Sequence, residues 1–121
     1  MAKRARNEIY EGKKIIFLDY TGVSHHEEEM FIKELDEVKN FILSQGDNLL
    51  ILVDVRNSYG SPKIINKMKE DGKIEKPFIK KQAVVGVSGM KEILLKGINL
   101  FTDINMKPFK TIEEAKNYLV N

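Results

Sequence analysis

A chain of 121 residues with 42% apolar and 31% charged side chains has the balance of a folded globular protein and the length of one compact domain. It contains no cysteine, which excludes structural disulfides, thiolate nucleophiles and cysteine-based zinc sites, and the expected compartment is cytoplasmic. The 20 Lys and Arg against 18 Asp and Glu leave a net charge of +2, too little to call for nucleic acid; no signal peptide is expected, and the longest aliphatic run, LLILV, is too short to cross a membrane.

Residues 1–13 read as a basic N-terminal segment that includes a first strand around Asn7 to Glu11. The turn Glu11-Gly12-Lys13 leads into KIIFLDY (14–20), whose β-branched and aromatic content predicts the second strand of a hairpin. In the segment from Gly22 to Gly46, Phe31, Leu35, Val38 and Ile42 recur at helical spacing, and Gly46 is suited to the left-handed position beyond the helix end. NLLILVDV (48–55) is apolar without alternation, as in a strand covered on both faces, and belongs in the middle of a sheet.

Ser61 and Pro62 are an N-cap followed by proline at the first helical position. Ile64, Ile65 and Met68 supply that helix with an apolar stripe and Gly72 a stop. KIEKPFIKK (73–81), broken at Pro77, reads as loop or short helical turns with Phe78 and Ile79 inward. AVVGV (83–87) is a third core strand, after which Ser88 caps a short helix carrying Ile93, Leu94 and Ile98. LFTDI (100–104) reads as a weak strand, and Thr111 caps a closing helix with Glu114 at its third position and Ile112, Ala115 and Leu119 inward. Strands alternating with helices predict a single α/β domain over residues 14–121, with a mixed central sheet and about four helices.

Charge is unevenly distributed along this framework. From Ser24 to Ser44 six acids face two lysines, and from Ser61 to Lys81 seven lysines face three acids. Solvated helix faces account for this, and the sharper reading is a partner surface of one sign.

Several residue groups resemble chemical motifs. His25-His26-Glu27-Glu28-Glu29 has metal-ligand chemistry, but adjacent helical side chains diverge by about 100° and cannot share one ion. Ser24 with Glu27 is instead a capping box. Gly86-Val87-Ser88-Gly89 approaches the nucleophile elbow, yet its last glycine comes one residue early and neither histidine lies near it in sequence. No Walker-type loop or Gly-x-Gly-x-x-Gly occurs, so no nucleotide cofactor is expected. Asp19 and Asp54 read as turn acceptors, and the basic stretch 63–81 has one aromatic residue, Phe78, too few to stack bases.

The connection after the central strand, LVDVRNSYGSPK (52–63), combines turn chemistry with exposed functional groups. Arg56, Asn57, Ser58, Tyr59 and Ser61 cluster at a strand's carboxyl end, where ligands and partners of open α/β sheets bind. A serine at a helix start faces unpaired N–H groups, so a phosphoryl group there is electrostatically tolerated and adds roughly −1.5 to −2 charges.

The order of hairpin, helix, LLILVDV strand, serine-containing loop, helix, AVVGVSG strand and turn, and FKTIEEAKNYL helix resembles the STAS domain of bacterial anti-sigma-factor antagonists over residues 14–120. The best-matching pieces are Gly22-Val23, LVDV at 52–55, Gly86-Val87-Ser88 and the EEA run at 113–115, and the chain is most similar to the divergent, SpoIIAA-like branch. The resemblance implies a non-enzymatic protein-interaction module. Its partner would be a regulatory protein such as an anti-sigma-type serine kinase, released when a serine at the second helix's start is phosphorylated.

That serine corresponds to Ser58 or Ser61, though the family's Asp-Ser-Ser-Gly run is absent. Ser61 is the better cap and Ser58 the more exposed candidate, and the expected contact surface is Arg56 to Ser61 with Lys63 and Lys67 on the exposed face of the next helix. The alternative is a small-ligand or lipid-binding module in which strand ends and Pro77-Phe78-Ile79 frame an apolar pocket. A third reading, a small enzyme using Asp19, Asp54 and Ser88, has no base–nucleophile pair in its spacing.

Overall fold

In the computed structural model, which describes residues 3–121, the three apolar runs lie side by side as β2 (Lys13–Asp19), β3 (Leu49–Asp54) and β4 (Ile79–Val85). They pair in parallel, with Leu18 opposite Val53 and Val53 opposite Val84. β1 (Ala5–Tyr10) closes one edge as the antiparallel arm of the expected hairpin, so the first strand is part of the sheet. β5 (Lys107–Phe109) closes the other edge in parallel to β4. Strand order across the sheet equals chain order, β1-β2-β3-β4-β5, with β3 central. Met1 and Ala2 of the basic N-terminal segment lie outside the described residues.

Parallel neighbours in chain order need a crossover each, and crossovers of one hand between strands laid down in one direction fall on one face. Accordingly α1 (Glu28–Leu43), α2 (Pro62–Glu75) and α3 (Met90–Thr102) cover the face that carries Ile16, Leu18, Ile51, Val53 and Val84. α4 (Ile112–Val120) follows the last strand and covers the opposite face, against Ile15, Phe17, Leu52, Ala83 and Val85. Leu52 and Ile51 are both fully buried on opposite faces of β3, which is why that strand reads as an unbroken apolar run. The result is a single α/β domain with a mixed five-stranded sheet and four α-helices.

Helix α1 buries Phe31, Leu35, Val38 and Ile42, the stripe read from the sequence. The Ser24 backbone N–H donates to Glu27 Oε1 at 3.0 Å, but this box opens a 3₁₀ turn, His25–Glu27, with α1 starting one residue later. Ser61 Oγ accepts from Ile64 N at 3.1 Å with Pro62 at the first helical position, and Thr111 Oγ1 accepts from Glu114 N at 3.1 Å. Each cap satisfies an amide that has no partner inside its helix.

Four expectations are corrected. Gly72 does not stop α2, which continues to Glu75 and a 3₁₀ turn at Lys76–Phe78. Its missing side chain instead makes room for a neighbour: a Cβ there would lie 2.8 Å from Thr102 Cγ2. Residues 79–81 are strand, because Pro77 ends the helical turn and Ile79 already pairs with Leu49. Ser88 is not the cap of α3; Gly89 occupies that position, and Ser88 contributes its carbonyl to Lys91 N. Residues 100–102 of the supposed weak strand are the last turn of a 13-residue α3, with Leu100 86% exposed, and the fifth strand begins only at Lys107.

Gly72→Ala is expected to lower stability by about 1–3 kcal/mol through overpacking against Thr102, in spite of the ~1 kcal/mol that alanine gains over glycine in a helix. Urea unfolding checks this, and an unchanged or raised midpoint would contradict the close α2–α3 contact.

Candidate functional site

The loop after β3 is held by a carboxylate clamp. Asp54, buried at the strand end, accepts from the backbone Arg56 N at 3.1 Å, from Arg56 Nε at 2.9 Å and from Arg56 Nη2 at 2.7 Å. Gly86, at φ +97°, lies directly beneath, where a Cβ would be 2.7 Å from Arg56 N. This glycine therefore serves both a left-handed backbone and a close chain crossing. Further bonds tie the loop to the segment after β2: Gly22 N donates to Arg56 O at 3.2 Å, Tyr59 N to Val23 O at 2.7 Å, and Ser58 Oγ to Tyr20 O. Asn57, with φ +57°, makes the sharp turn between them.

Behind this rim is a cavity of about 130 Å³ between the sheet and the layer of α1, α2 and α3. α4 makes close backbone contact with β2, β3 and β4, whereas the other three helices contact one another and stand further off the sheet. Ser58, Tyr59 and Gly60 line one end, with Lys91 and Leu94 of α3 beside them. The walls are apolar, including Leu35, Val53, Ile64, Val84 and Ile98. The space runs beneath α2 from Ile64 to Glu75, about 16 Å at 1.5 Å per residue.

Polar groups also line this apolar space: Tyr20 just after β2, Asp71 and Glu75 of α2, and Gln82 of β4. Burial pushes the Glu75 carboxyl up to about 8, with the nearby Asp71 adding to the shift against the opposing charges of Lys39 and Lys67. Asp71 is itself raised by burial, although Lys67 Nζ lies 3.1 Å and Lys39 Nζ 3.9 Å from its Oδ1. Burial, and then Glu75, push the Tyr20 hydroxyl well above its ordinary value. Gln82 Oε1 is buried without a hydrogen-bond partner among the described residues.

The residues singled out in the sequence divide between surface and interior. Arg56, Asn57, Tyr59 and Lys63 are exposed, and Ser58 is half-buried at the cavity mouth. Ser61 is only 5% exposed, with its hydroxyl engaged as the cap of α2. Lys67 is not on an exposed helix face: it bridges Asp36 of α1 and Asp71 of α2, because the face of α2 that bears it packs on α1. Asp19 accepts from Thr21 N at 3.0 Å and Asp54 from Arg56, both as turn acceptors, and neither is near Ser88 in any hydrogen bond. Phe78 and Ile79 pack at the margin of the core and do not line the cavity.

Sequence reasoning missed the polar lining. Its signal was the continuation of the α2 stripe: Ile64 and Met68 are followed at helical spacing by Asp71 and Glu75, acids in core positions. Gln82 likewise stands two residues before Val84, on the same inward face of β4.

The sequence model described as SpoIIAA-like matches residues 15–120. Among solved structures, an uncharacterized protein of the DUF3478 family with a SpoIIAA-like fold, from Shewanella loihica PV-4, superposes with a TM-score of 0.67 at 18% identity, covering 95% of this chain and 91% of that one. No curated protein matches the chain at a significant level. Among the described residues no helix is long and apolar enough to cross a membrane, and no group of three or more His, Cys, Asp or Glu is placed to hold a metal ion.

The raised carboxyl of Glu75 sets a direction for stability against pH. The unfolded chain gives up this proton near 4.5, while the folded one keeps it to about 8, so the native state binds more protons in between. Stability is expected to fall as pH rises through that window and to level off above it. Glu75→Gln should flatten the profile and stabilise the protein on the alkaline side, measured as Tm against pH; parallel profiles for the two proteins would refute the burial of this carboxyl.

Proposed function

The chain belongs to the SpoIIAA-like family, and from that premise we propose that it is a non-enzymatic binding module whose ligand is a small, mostly apolar molecule held between the sheet and helices α1 to α3. The observation that carries this reading is the cavity itself, an apolar space between sheet and helices that reaches the carboxyl ends of the parallel strands at Ser58 to Gly60 and is lined by a few polar groups. Its volume of about 130 Å³ bounds the occupant. A cavity of about 150 Å³ accepts benzene, so a ring or a short chain fits, and a long acyl chain does not unless α2 and α3 move apart. The half-buried Ser58, together with Tyr59 and Gly60, would then serve as the rim of the entrance.

A second reading, favoured by the rigid presentation of Arg56, Asn57 and Tyr59 at the surface, is a protein-interaction module in cytoplasmic regulation. Its partner would be a regulatory protein of the anti-sigma type, met by this loop and Lys63. In this reading Ser58 is the modified residue, because Ser61 is buried in its cap. A phosphoryl group on Ser58 would remove the hydrogen bond to Tyr20 O and put negative charge beside that carbonyl, loosening the loop as well as changing its sign.

Methyl NMR with benzyl alcohol as probe tests the first reading. Saturable shifts at Met68, Leu95, Ile98 and Met106 are expected, and Val84→Phe, which fills the space, should abolish them while the dispersion of the spectrum is kept. Shifts confined to surface methyls would refute the cavity as a binding site. For the second reading, Ser58→Asp is expected to weaken capture of a regulatory partner from lysate at unchanged helix content; equal capture by both proteins would remove the switch. Ser61→Ala should cost about 1 kcal/mol of stability, as for other lost N-caps.

A further inference from the structure

Two polar side chains of the cavity lining are left without partners, and their chemistry points to that of an occupant. Glu75 is 9% exposed and Gln82 7% exposed, both line the cavity, and neither side chain makes a hydrogen bond or ion pair among the described residues. The oxygen Gln82 Oε1 is an acceptor with no donor among the described residues, an arrangement that costs stability while it stays unmet. The cations nearest to these groups are otherwise engaged: Lys67 bridges Asp36 and Asp71, and Lys39 sits between the same two carboxylates. The cavity therefore presents an unpaired carboxyl and an unmet carbonyl acceptor among apolar walls, with the carboxylate of Asp71 also in its lining.

Resting on the reading of this space as a ligand site, we propose that the ligand is a small primary amine, its apolar body among Leu35, Val84, Leu95 and Ile98 and its ammonium group held by Glu75 and Gln82. An ammonium carries three donors and no acceptor, enough for the Glu75 carboxylate and Gln82 Oε1 together. A hydroxyl can accept from the protonated Glu75 and donate to Gln82 Oε1, but it brings no positive charge to the side of Asp71 and Glu75. A carboxylate ligand would bring a third negative group to the side of Asp71 and Glu75, where like charges repel. The cavity's size limits the body of the amine to about that of a benzene ring.

Binding has a proton signature. Before binding at neutral pH the Glu75 carboxyl holds its proton, in surroundings set by burial, Asp71 and Tyr20 on one side and Lys39 and Lys67 on the other. When an ammonium that is already protonated docks, the carboxyl ionises and its proton passes to the buffer, so one proton is released for each amine bound.

The test is calorimetric titration of the full chain at pH 7 with benzylamine, benzyl alcohol and benzoate, in two buffers that differ in ionisation enthalpy, for the native protein, Glu75→Gln and Gln82→Met. Benzylamine is expected to bind at least about tenfold tighter than benzyl alcohol, as a charge-assisted hydrogen bond replaces a neutral one. Benzoate should be the weakest of the three. Proton release near one per amine is expected for the native protein. Glu75→Gln should abolish that release and bring the amine down to the alcohol's affinity, and Gln82→Met should lower amine affinity while keeping the release.

Benzyl alcohol or benzoate binding as tightly as benzylamine would overturn the proposal, as would an amine preference that survives in Glu75→Gln, and either result leaves the cavity as an apolar ligand site. Failure of all three probes to bind would remove the cavity reading and this inference together.

Discussion

The arrangement of the whole molecule follows from how unequally the two faces of one sheet are covered. Four parallel strands in chain order demand three crossovers of the same hand, and these place α1, α2 and α3 together on one side. The other side is left to the nine residues of α4. There the small Ala115 lets the helix lie close on β3 and β4. On the crowded side, Phe31, Leu35, Ile64 and Leu95 hold their helices further off, and the three helices pack on one another as much as on the sheet. The cavity is the space this geometry leaves, so its position is a consequence of topology before it is a matter of ligand.

The same topology explains why the loop after β3 is rigid. Parallel strands end on the same edge, so the loops following β2, β3 and β4 meet there, and their exposed backbone groups must find partners among themselves. Asp54 collects three donors from Arg56, Gly86 clears room for the crossing, and Ser58 and Tyr59 bond to the segment after β2. The loop is thus both a fixed rim for the cavity and a fixed surface above it. Ligand occupancy and partner docking at one edge would be coupled through Ser58, Tyr59 and Gly60, which belong to both.

Electrostatics adds a contrast between the two ends of α2. Its start is neutralised by conventional capping, with Ser61 supplying the acceptor. Its last turns carry Asp71 and Glu75 inward, against the rule that buried carboxylates have partners. Asp71 has Lys67 and Lys39; Glu75 has none among the described residues and holds its proton instead. An isolated buried acid is a cost to folding that a domain of this size tolerates only where something else offsets it, and a ligand cation is one such offset.

Local chemistry made much of the architecture legible. The stripe Phe31-Leu35-Val38-Ile42, the caps at Ser61 and Thr111, the unbroken LLILV strand and the glycine turn of the hairpin are properties of short segments, and each appears in place. Errors arose where a residue's role depends on a distant neighbour. Gly72 looked like a helix stop because nothing nearby reveals Thr102, and LFTDI looked like a strand because an exposed apolar run at a helix end has strand composition. Lys67 looked free because Asp36 lies one helix away. By itself, then, the amino-acid order determined most of the elements, the central strand and the family resemblance, since periodicity and capping act over a few residues. Only the tertiary structure decided that Glu75 and Gln82 line one apolar cavity, because burial and unmet hydrogen bonds are properties of packed surfaces from separate elements, which no local pattern contains.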